Sequence, residues 1–229
     1  MTTIYLIRHG QASIGTSNYD MLSANGRNQS RILGEHLARL NLSFDRIVSG
    51  TLKRQTDTAI IATGCSEDEL LQNPAFNEYQ HSQIFDHYAA KLATDNNVIA
   101  ASFAKGHNEK LTYEVFAILM NAWAQDNDTH GALESWDDFT ARIRQGLTDV
   151  ITEANGAEHV AIFTSGGVIC TILQMIIGFP IDKIFEINWG IYNAGISALK
   201  VHGTSLKLSY YNNITHLQLK NDQSLITNI

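Results

Sequence analysis

The chain has 229 residues, 44% of them hydrophobic and 17% charged, with a formal charge of -7 from 16 Lys and Arg against 23 Asp and Glu. That length supports a well-buried core, and an acidic balance without a basic run argues against a nucleic-acid partner. No apolar stretch approaches the length of a membrane span, and Met1-Thr2-Thr3 runs straight into a strand pattern with no leader-like segment. The expectation is a reduced, soluble, cytoplasmic protein without a membrane partner. Cys65 and Cys170 have no metal-ligand spacing, and Cys170 lies among apolar residues that suit a core.

The chain alternates strand-like and helix-like segments. Residues 3–8 read as a buried strand, and 26–40 as a helix with Leu33, Leu37 and Leu40 on one face. Phe44 to Ser49 reads as a second strand, 52–62 as a second helix, and Leu70 to Phe76 as a weak third strand. The stretch 80–156 looks helical. One helix there carries Leu111, Val115, Leu119 and Trp123; another carries Trp136, Phe139, Ile143, Leu147 and Val150, with Ser135 as N-cap. His159 to Thr164 is a clear strand, and a helix follows from Gly166 to near Gly178. Ile191 to Val201 and Leu206 to Tyr211 read as two last strands, turned by His202-Gly203-Thr204.

There is no repeat, low-complexity tract or Pro/Gly/Ser linker. The pattern predicts one α/β domain over 1–229: three layers, a mostly parallel central sheet with helices on both faces, and a helical insertion at about 80–156. In such sheets ligands bind beyond the carboxyl ends of the strands. Arg8-His9-Gly10, the segment Ser49 to Arg54 and Thr164-Ser165-Gly166-Gly167 all fall at such ends. An imidazole is a competent nucleophile toward phosphorus, and guanidinium groups pair with phosphoryl oxygens, so Arg8 and His9 suit a phosphate-ester site.

Arg8-His9-Gly10, followed by Ser49-Gly50-Thr51-Leu52-Lys53-Arg54-Gln55-Thr56-Asp57-Thr58-Ala59, resembles the histidine phosphatase superfamily with its phosphoglycerate-mutase-like fold. The family pattern is R-H-G after the first strand and S-x-x-L-x-R-x-x-x-T-A after the second. Leu22, Ser23, Gly26 and Gln29 match its L-[ST]-x-x-G-x-x-Q segment. The resemblance runs from residue 3 to about 200. It implies that His9 attacks a phosphoryl group to form a phosphohistidine, that Arg8 and Arg54 hold the equatorial oxygens, and that no metal or other cofactor is required. It also implies a carboxylic acid shortly past the third strand, where Glu78 stands, holding a proton through a raised pKa. The partner implied is a small phosphorylated substrate. Relatives often form dimers, which makes a homodimer an expectation.

The chain departs from the family in one place. The usual second His of S-H-G-G is replaced by Ser165, in a T-S-G-G sequence. A hydroxyl donates to a phosphoryl oxygen without bringing charge, while the helix starting at Gly166 still aims N–H groups at an anion. His81, three residues past Glu78, is a candidate compensating donor. The thin basic supply of the insertion, which includes Lys105, Lys110, Arg142 and Arg144, favours hydrolysis over mutase-type transfer. The loop Gln11 to Ser17, with Gly15 at a position occupied by Asn in mutase relatives, is small enough to cover a phosphate. Two other readings stand beside the phosphatase: a phosphate-ester binding or regulatory protein with little turnover, and a serine hydrolase built on Ser165 with Asp182 and His202 or His216. The latter lacks the glycine two before the serine, where Phe163 stands.

Overall fold

The computed structural model describes residues 2–13, 19–93, 113–126, 131, 133–154, 156–203 and 205–228. Leu111, Lys105, Lys110, Thr204 and the Gly15 part of the loop lie outside these. Six strands form one sheet in the order β3-β2-β4-β1-β5-β6. They are β1 (Thr3–Arg8), β2 (Arg46–Ser49), β3 (Leu70–Gln72), β4 (His159–Thr164), β5 (Ile196–His202) and β6 (Ser205–Asn213). The first four are mutually parallel, β5 is antiparallel to β1, and β6 is antiparallel to β5. The helices are α1 (Ala24–Arg39), α2 (Lys53–Thr63), α3 (His81–Leu92), α4 (Tyr113–Gln125), α5 (Trp136–Glu153), α6 (Gly166–Ile177), α7 (Asp182–Trp189) and the short α8 (Thr215–Gln218). None of them is long and apolar enough to cross a membrane.

The two faces of the sheet follow from side-chain alternation along each strand. Ile4 and Leu6 of β1, with Val160 and Ile162 of β4, face a core closed by α3 to α7. Ile7, Ala161 and Phe163 face a second core under α1 and α2. Strands buried on both faces read as near-continuous apolar runs, which is why β1 and β4 are plain in the sequence. Truncating a fully buried aromatic such as Phe163 costs about 3–5 kcal/mol.

Several boundaries differ from the sequence pattern for local reasons. β3 stops at Gln72, because Pro74 at the start of a 3₁₀ turn (Pro74–Phe76) cannot donate to a ladder. β5 starts at Ile196, not Ile191, because Ala194 has φ of +56° and breaks the extended run. The helix α7 fills part of the interval after Pro180, and Gly178 (φ +80°) ends α6 before it. Helix α1 begins at Ala24, capped by the Ser23 side chain accepting from Gly26 N.

Register brings the strand ends together. Arg8 pairs with Thr164 and Ser49 with Phe163. Hydrogen bonds continue past the ladder, from His9 N to Thr164 O (2.9 Å) and from Gly50 N to Phe163 O (3.1 Å). The three motif segments therefore leave the sheet side by side.

Candidate active site

His9 lies just past β1 and is 4% exposed. Its Nδ1 meets Gly10 O at 2.7 Å, and its Nε2 meets Arg54 Nε at 3.1 Å. A carbonyl oxygen can only accept and a guanidinium can only donate, so both partners dictate one tautomer: hydrogen on Nδ1, lone pair on Nε2. Burial, with Arg54 and then Arg8 nearby, pushes the imidazole well below its usual range. His9 is thus a neutral base with its lone pair turned toward a guanidinium.

The loop carrying His9 is held by the other motif residues. Gly10 N donates to Thr58 Oγ1 (3.0 Å), whose hydroxyl donates to Arg54 O (2.6 Å). A Cβ at Gly10 would run into the Gly26 backbone, and one at Gly26 into the Gln11 backbone. Glycine at both places permits that approach. Gln29, fully buried, accepts from Gln11 N (2.8 Å) and donates to Leu225 O and Thr227 Oγ1. The spacing of Leu22-Ser23, Gly26 and Gln29 is therefore that of a helix start docked under the His9 loop.

Arg8 and Arg54 supply the positive charge. Arg8 Nη1 donates to Ile191 O and to Asn228 O, the latter at 2.9 Å, while its buried Nε has no hydrogen-bond partner among the described residues. Arg54 is 7% exposed at the first turn of α2. Its Nη1 donates to Asp20 Oδ1 (2.7 Å), and the Tyr19 ring lies 5.4 Å from its guanidinium carbon. Asp20 Oδ2 also accepts from Lys53 N (2.8 Å), so one carboxylate caps α2 and orients Arg54.

Glu78 is half-buried, and its Oε2 accepts from Gly167 N at 3.0 Å, at the start of α6. Burial raises its pKa, against the opposing pull of that N–H, Arg54 and Arg8. A Cβ at Gly167 would collide with Glu78 Oε1 and the Tyr79 ring, so this carboxyl requires the glycine. The loop before Glu78 is braced from α5. Arg142 Nη1 donates to Ala75 O (2.8 Å) and Asn77 O (2.9 Å), while Nε and Nη2 pair with Glu134 at 2.5 and 3.0 Å.

Ser165 is fully buried at the N-cap of α6, and its Oγ accepts from Gln55 Nε2 at 2.8 Å. Gly166 follows it as the first residue of that helix, where a Cβ would strike the Asn188 side chain. No imidazole takes a hydrogen bond from Ser165 among the described residues. His216 instead stacks on His36, and His202 is exposed at the end of β5. The serine-hydrolase reading lacks its base on this geometry. Cys170 is fully buried and burial pushes its thiol well up, as suits a core side chain.

His81 opens α3 at the mouth of the site. Its ring meets Tyr19 (5.6 Å) and Phe85 (5.9 Å), and burial together with Arg54 lowers its pKa. Asn193 escapes the sequence patterns altogether: it is fully buried and donates to His9 O at 3.2 Å. Arg8, His9, Arg54, Glu78, Ser165 and Gly166 thus gather at the strand ends, with His81 beside them. Asp20, Gln55, Arg142, Asn193 and Asn228 join them without any sequence signal.

Known proteins resemble this chain in sequence and in fold. The family described as histidine phosphatase superfamily (branch 1) matches residues 4–110 and 103–214. A broad-specificity phosphatase of Saccharomyces cerevisiae is 24% identical over 179 residues, covering 75% of this chain and 68% of its own. Among solved structures, a phosphoglycerate mutase from Bacillus anthracis superposes with a TM-score of 0.68 at 18% identity, over 96% of this chain and 97% of that one. A phosphoserine phosphatase variant from Entamoeba histolytica, in complex with phosphoserine, gives 0.64 at 18% identity, over 95% and 100%. The family match runs through most of the chain and the solved folds agree with it, so this protein belongs to the histidine phosphatase superfamily.

Proposed function

We propose that the protein is a phosphomonoester hydrolase working through a phosphohistidine on His9. The observation that carries the reading is the state of that imidazole. It is neutral, with its hydrogen committed to Gly10 O and its lone pair at Nε2 beside a buried guanidinium. A nucleophile must be unprotonated, and a leaving phosphoryl group needs its charge neutralised as it transfers.

In the first step His9 Nε2 attacks phosphorus and the ester P–O bond breaks. Glu78, whose pKa burial raises, acts as the acid and gives a proton to the departing alcohol oxygen. Arg54 moves its Nε donation from the lone pair to a phosphoryl oxygen, and Arg8 Nε, without a partner among the described residues, takes another. Ser165 and the Gly166 N–H at the start of α6 complete the oxygen contacts. In the second step the Glu78 carboxylate removes a proton from water as the water attacks phosphorus. The P–N bond then breaks, its electron pair returns to Nε2 and inorganic phosphate leaves. The charge-bearing parts are side chains and backbone N–H groups, so the reaction calls for no metal. His81, at the mouth, contacts the alcohol portion of the substrate as an accessory residue.

The named activities of the yeast and Entamoeba proteins support hydrolysis of small phosphomonoesters. Mutase-type transfer, the activity named for the Bacillus protein, asks for more basic side chains than the two arginines gathered here among the described residues. The test is a screen of phosphomonoesters against wild type and His9→Ala. Hydrolysis by wild type, lost in His9→Ala, supports the reading. Tight binding of esters without turnover at any pH assigns the protein to a binding or regulatory class instead.

A further inference from the structure

The proposed role of Ser165 as a phosphate ligand leads to a second residue behind it. Arg8 and Thr164 are paired across β1 and β4, so His9 and Ser165 stand one residue beyond on adjacent parallel strands. Ser165 Oγ accepts from Gln55 Nε2 (2.8 Å), and the same nitrogen donates to Phe76 O (3.0 Å). Phe76 O can only accept, which fixes the amide with its NH₂ toward both. Both amide hydrogens are then spent, and the Ser165 oxygen must receive from Gln55. Its own hydrogen has to go elsewhere, and no hydrogen bond among the described residues takes it. Arg8 Nε is also a buried donor without an acceptor among the described residues, and it lies 3.7 Å from where a Gly166 Cβ would stand. Two donors at neighbouring positions, beside a neutral nucleophile, await an anionic oxygen.

We propose that Gln55 is a positioning residue for phosphoryl binding. It occupies the acceptor side of the Ser165 hydroxyl and so aims the hydroxyl hydrogen at a phosphoryl oxygen. Gln55 and Ser165 together form the neutral counterpart of the second histidine. The packing agrees with this pairing. Gln55 is fully buried in the first turns of α2, next to Arg54, and its Oε1 lies where a Cβ on Gly50 would collide. With Gln55 Nε2 2.8 Å from Ser165 Oγ, an imidazole placed at 165 in the same rotamer would take the space of the Gln55 amide, so in that rotamer the two side chains compete for one place. The pair also explains an uneconomical feature: Gln55 Oε1 is buried with no hydrogen-bond partner among the described residues, a cost to stability that the orientation of Ser165 accounts for.

The proposal rests on Ser165 touching phosphate, so its test reads binding as well as turnover. Inorganic phosphate affinity by calorimetry, together with kcat and KM on a phosphomonoester, is measured for wild type, Gln55→Leu, Ser165→Ala and the double variant. Melting curves establish folding, and Gln55→Met replaces Gln55→Leu if the latter does not fold. Each single change is expected to weaken phosphate binding and lower kcat by about tenfold, and the double variant to be no worse than the weaker single. A Gln55→Leu protein with wild-type phosphate affinity and kcat overturns the proposal, as do losses that multiply in the double variant. If wild type turns over no phosphomonoester, the hydrolase reading fails, while the phosphate-binding cycle still decides the role of Gln55. Gln55→Ala/Ser165→His is expected to exceed Ser165→His alone in activity or phosphate affinity; the reverse order counts against this competition.

Discussion

Arg54 Nε donates to His9 Nε2 over 3.1 Å, so in the free protein the guanidinium covers the lone pair that the proposed chemistry needs. The contact favours the neutral His9 tautomer with hydrogen on Nδ1, and it places a cation where the proposed chemistry brings a phosphoryl oxygen. Arg54 itself is set by Asp20, which caps the same helix.

Arg54→Lys is expected to lower kcat/KM by about 100-fold or more, because a point charge cannot donate from Nε to the His9 site while pairing with Asp20. The His9 pKa, followed by NMR of the ring protons, is expected to rise in Arg54→Ala, since the second largest influence holding it down is removed. An unchanged His9 titration would show that burial and Arg8 set it without Arg54.

Glu78 bears on the alkaline side of the pH profile. In the proposed mechanism its carboxyl must carry a proton to release an alcohol, and burial raises its pKa, so activity is expected to fall as pH rises through that value. Glu78→Gln is expected to lose this alkaline limb and to fall about 100-fold or more on alkyl phosphates. The loss on an aryl phosphate, whose leaving oxygen needs little help, is expected to be smaller. Equal losses on both substrates would place Glu78 outside leaving-group protonation.

Arg142 is too far along the chain from Glu78 for any local pattern to connect them, yet it holds the carbonyls of Ala75 and Asn77. Arg142→Ala is expected to lower melting temperature and to reduce kcat roughly tenfold by loosening the Glu78 loop. Arg142→Lys is expected to rescue little, because the lysine cannot pair with Glu134 and reach two carbonyls together. Stability lost without a change in kcat per folded molecule would limit Arg142 to a structural role.

The folded state carries its own acid sensitivity. His216 is 3% exposed, with its ring stacked on His36 at 5.3 Å, and burial together with His36 pushes its pKa down to about 4. The neutral form is favoured in the folded chain, so this stability is complete above the unfolded value near 6.5 and drains as pH falls toward 4. His216→Phe is expected to remove about 2 kcal/mol of the stability difference between pH 7.5 and pH 5. Chemical denaturation at both pH values measures it; an unchanged difference would mean that the pair does not titrate on unfolding.

The parts of this molecule that were legible in the sequence are those governed by local rules. β1 and β4 are apolar runs buried on both faces, and Ser23 and Ser135 cap helices as their type suggests. Arg8, His9, Arg54, Ser165 and Gly166 were placed by strand ends, and the register of β1, β2 and β4 gathers them. Long-range partners were not legible. Asn193, Asn228 and Arg142 act through backbone carbonyls far along the chain, and a carbonyl leaves no trace in residue type. Asp20 and Gln55 sit among other polar residues, where nothing in their spacing separates a brace from a solvated side chain. The start of β5 differs from the apolar pattern because a positive φ at Ala194 is invisible in an alanine.

The central claim is that His9 carries the phosphoryl group. Rapid acid-free quenching of wild type mixed with a phosphomonoester, followed by peptide mass spectrometry, tests it most directly. The account predicts a single phosphorylated site on His9, stable to base and labile to acid, forming and decaying at least as fast as turnover and absent in His9→Ala. Turnover that persists in His9→Ala, or hydrolysis without any phosphohistidine on a timescale where one must accumulate, would contradict it.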